Sequence, residues 1–532
     1  MSANARTLPL REAVGASPIE AARQMRAARI SGEKIAGIAL FLILSLSLLI
    51  VLMAADRPSF LSAITHAHFF PRWMAGPLGG LWPGLTRNNT ALKDMFTGSV
   101  LIMYVSYLVG LRYVTLLRPA VVIGAVLLVH AILLLAPPMA LTDIFNYVNY
   151  GRMEMVHHLN PYTTIPTLEP HSDPSFALSN WHHLLSPYGP LFTLISIAVV
   201  PLGVAGSFWA FKGILMLASL GIVLLVYRCA LLLGRNPVRA VMFVGLNPVV
   251  LIWGLGGDHN DFIMVFFIML GFYLLLAAQR STSPASDSSV QASNGHLPHS
   301  GERFRADAQL VGLRRWLQVP ANQAVIAGVV FAVAVFVKAS AGLLIPVVLC
   351  ALCRTPRRLL QFALGLIVTA VLLGILSLIA FGPNLPDLST QSSVVTTISL
   401  PNLLGLALGQ GGETGVLRDL LDVGLICVVV ACCRSAYRRG REFDRSLTAA
   451  GWATVALLVT LSWVLPWYVV WLLPLAALSS SQRLRRSALV LGAYLILAWV
   501  PSTSGVFSTI GFKPATTPLG QQHQRAVKEL LN

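Results

Sequence analysis

A succession of apolar runs, each close to the length that crosses a bilayer, constrains this chain more than any motif in it. The first, Ile35 to Ala55, offers about 20 apolar residues, sufficient for ~30 Å of hydrocarbon. Further runs recur at 97–112, 119–140, 207–227, 237–254, 262–278, 322–338, 340–353, 359–381, 417–433, 447–463, 467–480 and 487–500. Charged residues make up 11% of the 532, against about 25% in a soluble domain. The expected fold is therefore an all-α polytopic transmembrane bundle of about 13 spans, with the lipid bilayer as its first partner.

The net charge of +17 does not point to nucleic acid. Lys and Arg fall in short clusters between the runs: in the tail 1–34, at Arg112 and Arg118, at Arg228 to Arg239, from Arg280 to Arg315, at Arg354 to Arg358, from Arg434 to Arg445, and at Arg483 to Arg486. These clusters hold 27 of the 38 basic residues and occupy alternate loops if the Pro-flanked run 187–203 does not cross fully. That is the positive-inside bias. It places the tail 1–34 in the cytoplasm and reads 187–203 as a juxtamembrane or re-entrant helix. Residues 35–500 form the membrane module. The Ser-rich stretch 279–320 reads as a disordered cytoplasmic linker, and 501–532 as a polar outer tail. Cys350 and Cys353 lack a second pair or a nearby His, so they read as membrane packing rather than a metal site.

The segment Thr142 to Pro190 stands apart from the apolar runs on either side. Asp143, Tyr147, Tyr150 and Glu154 fall at i, i+4, i+7 and i+11, along one helical face. His157, His158, His171, His182 and His183 crowd the same segment. A reaction centre at the lipid–water boundary needs such groups; an interfacial helix with an aromatic belt shows them too. Three other stretches fall on the same side. Gly256-Gly257-Asp258-His259-Asn260-Asp261 joins two runs and carries two carboxylates and an imidazole, suited to proton relay, sugar hydroxyls or a metal. Lys338 ends an apolar run with no acid following within one helical turn, which leaves an arriving phosphate as its counter-charge; snorkelling is the alternative. The loop 382–416 and the aromatics of Trp463 to Trp471 complete the set as a groove or as anchors.

The order of these features resembles the GT-C class of membrane glycosyltransferases. The carrying residues are the loop acid, Asn160-Pro161-Tyr162, Ser186-Pro187-Tyr188-Gly189-Pro190, His259-Asn260-Asp261 and Pro466-Trp467-Tyr468. Among that class the chain is most similar to bacterial polyprenyl-phosphomannose-dependent α-mannosyltransferases, over about residues 97–500. The resemblance implies a plasma-membrane enzyme with its active site facing outside. It would move a sugar, mannose by resemblance, from a polyprenyl-phosphate donor to a glycan or glycolipid acceptor of the envelope, in a single displacement with inversion. Asp143 would be the catalytic general base. Tyr147, Arg152, Asn160, Tyr162, Tyr188, Asp258, His259, Asp261 and Lys338 would bind substrate. No cofactor is expected; Asp143 has no adjacent acid, where some members have a pair, so a divalent metal stays open. A secondary transporter or lipid-linked sugar flippase is the competing expectation, since such proteins also place ionisable groups in broken helices. A non-catalytic scaffold is the third.

Overall fold

The computed structural model describes residues 18–63, 84, 87–139, 143–280, 319–387, 390, 394–438 and 443–531. Every regular element among the described residues is a helix. Most of the Ser-rich stretch, 281–318, and the first half of the basic tail lie outside them. The first half of the chain forms α1 (Pro18–Asp56), α2 (Asn89–Tyr113), α3 (Pro119–Leu134), α4 (Asp143–His157), α5 (Pro190–Val199), α6 (Gly203–Leu232), α7 (Pro237–Gly245) and α8 (Asp261–Arg280). The second half forms α9 (Pro320–Val337), α10 (Leu344–Leu352), α11 (Pro356–Phe381), α12 (Leu400–Ala407), α13 (Gly415–Arg438), α14 (Phe443–Thr460), α15 (Leu473–Leu478), α16 (Gln482–Trp499), α17 (Pro501–Thr509) and α18 (Pro518–Leu531).

Local sequence explains where these helices begin. Proline opens α3, α5, α7, α9 and α11, where its fixed φ suits the first turn and its missing N–H costs nothing. Asn88 and Asn236 cap α2 and α7 by accepting backbone N–H groups of the first turn.

Among the described residues, five helical stretches are long and apolar enough to cross a membrane: Arg29–Asp56, Asn89–Leu116, Pro190–Leu232, Asp261–Arg280 and Pro356–Phe381. A sixth arises if α16 and α17, bent by 80°, count as one. Other apolar runs form the shorter helices Pro119–Leu134, Ala321–Val337, Ala339–Leu352 and Pro466–Leu478, while the runs at 417–433 and 447–463 lie in α13 and α14. The run at 340–353 is a 3₁₀ turn leading into α10, and the run at 467–480 is the 3₁₀ segment Pro466–Trp471 followed by α15. The stretch 187–203 holds only the ten-residue α5, joined to α6 through the 3₁₀ turn Val200–Leu202. The chain is a membrane protein by its outer surface as well. On α11, Leu360, Leu364, Leu372 and Ile379 stand 56–78% exposed, an apolar face that only lipid covers at no cost.

Helix direction sets what meets at each end. Asp261 opens α8 and Arg280 closes it, 20 residues or about 30 Å away. In the reverse sense α9 ends at Val337 beside Lys338, and α11 runs from Arg357 and Arg358 to Phe381. One end of the bundle thus collects acids, aromatics and a lysine, and Arg280, Arg357 and Arg358 lie at the other.

Candidate active site

The site begins at the first turn of α4. Asp143 is 9% exposed, and Tyr147 and Tyr150 lie below it on the buried face that the sequence spacing predicts. Asn146 ties the following loop to this helix. Its Oδ1 accepts the backbone N–H groups of Asn180 (3.0 Å) and Trp181 (3.4 Å), and its Nδ2 donates to Asn180 Oδ1 (2.8 Å). That clamp brings Trp181 Nε1 to 3.3 Å from Asp143 Oδ1 as a donor.

The turn Gly256 to Asp261 supplies the opposite wall, and each of its charged residues reaches a different partner. Asp258, with a left-handed φ of 54°, faces Lys212 of α6, whose Nζ lies 3.0 and 3.3 Å from its two oxygens. His259 lies flat on Trp467, centroids 3.5 Å apart, with Nδ1 3.2 Å from Asp143 Oδ2. Its Nε2 is buried without a partner and faces inward: a Cβ on Gly257 would sit 2.5 Å from it. This glycine is what lets the ring lie there. The Asn260 N–H donates to Tyr147 Oη at 3.2 Å. Asp261 accepts from Lys338 Nζ at 2.8 Å and from Trp471 Nε1 at 2.6 Å.

The Lys338–Asp261 pair corrects one sequence expectation. Lys338 does not wait for a phosphate as its first counter-charge; an acid 77 positions earlier already supplies one. Spacing along one helix could not show it, because the partner sits on another. Lys338 lies in extended backbone at the end of α9, with Nζ 5.0 and 5.4 Å from the ring centres of Tyr468 and Trp471. The Pro187-Tyr188-Gly189 segment passes beside it. The Gly189 N–H donates to Val337 O at 3.1 Å, an approach so close that any Cβ would collide with α9.

One pocket gathers these groups. Asp143, Tyr188, His259, Asp261 and Lys338 line it, with Trp181, Trp463, Trp467 and Tyr468. Of the 382–416 loop, Val394 reaches it, and from α18 so does Leu530, whose carbonyl accepts the His183 N–H at 3.1 Å. Six stretches separated in sequence therefore meet at one end of the bundle. A second, largely apolar groove shares Pro187, Lys338, Trp463 and Tyr468 with this pocket. It continues past Leu343, Leu425 and Leu457 and has Arg418, paired with Glu413 at 2.9 Å, at its edge.

Other predicted residues support the site without lining the pocket. Tyr147 packs edge-on against Tyr188 and Phe192 beneath it. Arg152 forks onto Asp173, Nη2–Oδ2 2.8 Å. Asn160 donates to the Phe381 carbonyl at 2.8 Å, and Tyr162 to the Tyr188 carbonyl at 2.9 Å. The histidine crowd builds the loop. His157 meets Asp173 at 2.8 Å, and Phe176 is sandwiched between His171 and His182 at 4.1 and 4.2 Å. Burial alone would raise the Asp173 carboxyl; the Arg152, Ser175 and His157 bonds outweigh it and hold it well below its usual range. For nearby Glu169 burial outweighs the opposing pull of Asn149, His157 and Arg152 and pushes it up to about 7. Sequence reasoning missed Lys212, hidden in an apolar run, and Trp181, which read as one more interfacial aromatic. Among the described residues no three His, Cys, Asp or Glu side chains converge as metal ligands.

Comparison with known proteins adds the family context. A family model described as alpha-(1->6)-mannopyranosyltransferase, N-terminal domain, matches residues 58–354, and one described as MptB C-terminal domain matches residues 394–517. An alpha-(1->6)-mannopyranosyltransferase A of Mycobacterium tuberculosis is 26% identical over 412 residues, covering 72% of this chain and 70% of its own. A probable alpha-(1->6)-mannopyranosyltransferase of Mycolicibacterium smegmatis is 28% identical over 385 residues, covering 68% and 65%. No solved structure matches.

Proposed function

The chain belongs to the alpha-(1->6)-mannopyranosyltransferase family, and from that premise we propose that it transfers mannose from a polyprenyl-phosphate donor to a sugar hydroxyl of an envelope glycan or glycolipid, with Asp143 as general base. Membership makes the chain a hexosyltransferase and removes the transporter and scaffold readings. One observation carries the choice of base. Three carboxylates ring Tyr147, and two of them, Asp258 and Asp261, are held by lysines. Among the described residues Asp143 has only an indole N–H and an imidazole nitrogen, so it is the acid left free to take a proton. His259 cannot replace it, since Nε2 faces Gly257 rather than the pocket.

The step is a single displacement. The acceptor hydroxyl gives its proton to Asp143, its oxygen attacks C1 of the donor sugar, and the C1–O bond to phosphate breaks. Polyprenyl phosphate leaves with the electron pair. One carboxylate working this way inverts C1, so an α-linked product requires a β-linked donor. His259 orients Asp143, and the Trp463 ring offers a face for sugar. Lys338 faces the leaving phosphate. An ammonium has three N–H donors, so pairing with Asp261 aims it rather than silences it. The apolar groove that shares Lys338 with the pocket suits a prenyl chain. The arginine clusters at the opposite helix ends favour an outward-facing site and a cytoplasmic N-terminus.

Asp143→Asn tests this reading. The amide keeps shape and abolishes basicity. Turnover of donor should fall about 10²–10⁴-fold at equal amounts of folded protein, assayed in membranes with radiolabelled polyprenyl-phosphate mannose. Near-normal turnover would move the base elsewhere.

A further inference from the structure

Lys212 stands within α6, a membrane-crossing helix, with no exposed surface. Phe208 lies 5.7 Å from its ammonium, and Asp258 is its charge partner. Stability is a poor reason for such a pair, since apolar residues of the same volume serve a buried position as well or better. Geometry offers another. Asp258 and His158 are the non-glycine residues with left-handed φ among the described residues. An L-residue holds that conformation only where its surroundings fix it. The carboxylate of Asp258 is anchored on Lys212, and the next residue, His259, is thereby projected onto Asp143. The turn has little slack elsewhere, because a Cβ on Gly256 or Gly257 would strike backbone carbonyls of the preceding π-helical turn.

We propose that Lys212 is a positioning residue for glycosyl transfer: through Asp258 it fixes the turn that sets the His259 imidazole against Asp143. The proposal rests on Asp143 as the base. It makes Lys212 matter to the rate of transfer and not to donor capture, since Lys212 touches neither the pocket nor the apolar groove.

The test is a double-mutant cycle on the full chain in lipid nanodiscs, with polyprenyl-phosphate mannose as donor. Lys212→Met should lower kcat roughly 10- to 100-fold while leaving the donor KM within about twofold, the effect of a misplaced catalytic group. His259→Ala should show a loss of similar size. Combining the two should add little, because the lysine acts through the imidazole. Additive losses overturn the proposal. So does an unchanged kcat per folded molecule with only a lower Tm, which makes the pair a structural tie. Should Lys212→Met fail to accumulate, Lys212→Met with Asp258→Asn leaves no lone buried charge and enters the same cycle under the same criteria. Asp143→Asn is measured alongside. Normal turnover there defeats the base assignment, while coupling between 212 and 259 is read independently of it.

Discussion

Replacing Lys338 by Met separates its ion pair with Asp261 from the phosphate contact proposed for the same ammonium. The change keeps most of the apolar stem and removes the charge. Asp261, whose side chain is 1% exposed, would then keep only the Trp471 N–H at 2.6 Å, with Oδ2 already unpartnered. Removing one member of a buried ion pair costs about 3–5 kcal/mol. Lys338 is 20% exposed and the Trp471 bond survives, so the lower end, about 3 kcal/mol, applies. Losing a charge-assisted bond to the leaving phosphate costs a further ~1.5–3 kcal/mol, about 10- to 100-fold in donor affinity.

Thermal unfolding and turnover on the same nanodisc samples distinguish these losses. Lys338→Met should melt lower by on the order of 5 °C and show a raised donor KM. Adding Asp261→Asn removes the stranded charge, so most of the stability should return while the KM stays high. Recovery of both would confine Lys338 to holding Asp261 and refute the phosphate role. No stability loss in Lys338→Met would mean that water screens the pair, and the magnitude reasoned from burial would be wrong.

Three further outcomes are expected. Gly257→Ala should abolish transfer in protein that still reaches the membrane, because its Cβ would meet the Trp253 carbonyl at 2.4 Å and His259 Nε2 at 2.5 Å and force the turn to shift; wild-type turnover would refute this packing of the turn. Glu169, raised from its usual 4.5 to about 7, is favoured protonated in the fold, so the loop after α4 should be most stable below pH 4.5 and weaken as pH rises towards 7. Glu169→Gln should abolish that decline in protease resistance, and an unchanged decline would refute it. Cysteines introduced at Pro170 and Leu385, in a background without the native ones, should react with an impermeant thiol reagent from outside whereas one at Val290 should not; labelling at Val290 would invert the topology.

The helical membrane class was legible because apolar runs of crossing length leave no other solution. So was the convergence of Asp143, the Asp258–Asp261 turn, Lys338 and the Trp463–Trp471 aromatics, since alternating arginine clusters assign all four to one end. Pairings between helices were not legible. Lys212 and Lys338 each interrupt an apolar run, and only the second drew notice, because it stands at a run's end. The histidines misled for a related reason. A cluster in sequence marked chemistry, yet His157, His171 and His182 of that cluster brace the loop, and the histidine that meets Asp143 comes from a turn about 100 residues later. Arg152, Asn160 and Tyr162, which the resemblance assigns to substrate, have polar groups bonded to Asp173 and to the carbonyls of Phe381 and Tyr188.

The two lysines show why the three acids of this site cannot be interchangeable. Each acid lies in a nearly dry environment, where an unpaired charge is costly, yet a base must keep an unshared lone pair facing the substrate. Lysine partners settle the matter for Asp258 and Asp261 and leave neutral or weakly basic donors to Asp143. Position then divides the two pairs. Asp258–Lys212 is sealed under the turn, where its charge reaches nothing that moves, so its effect is on backbone geometry. Asp261–Lys338 lies at the pocket wall where the apolar groove begins, so one of its members can meet an incoming anion without leaving the other. Under the proposed mechanism, a donor phosphate arriving along that groove would meet a lysine already aimed by its acid, and the acceptor hydroxyl would meet Asp143, which lines the same pocket.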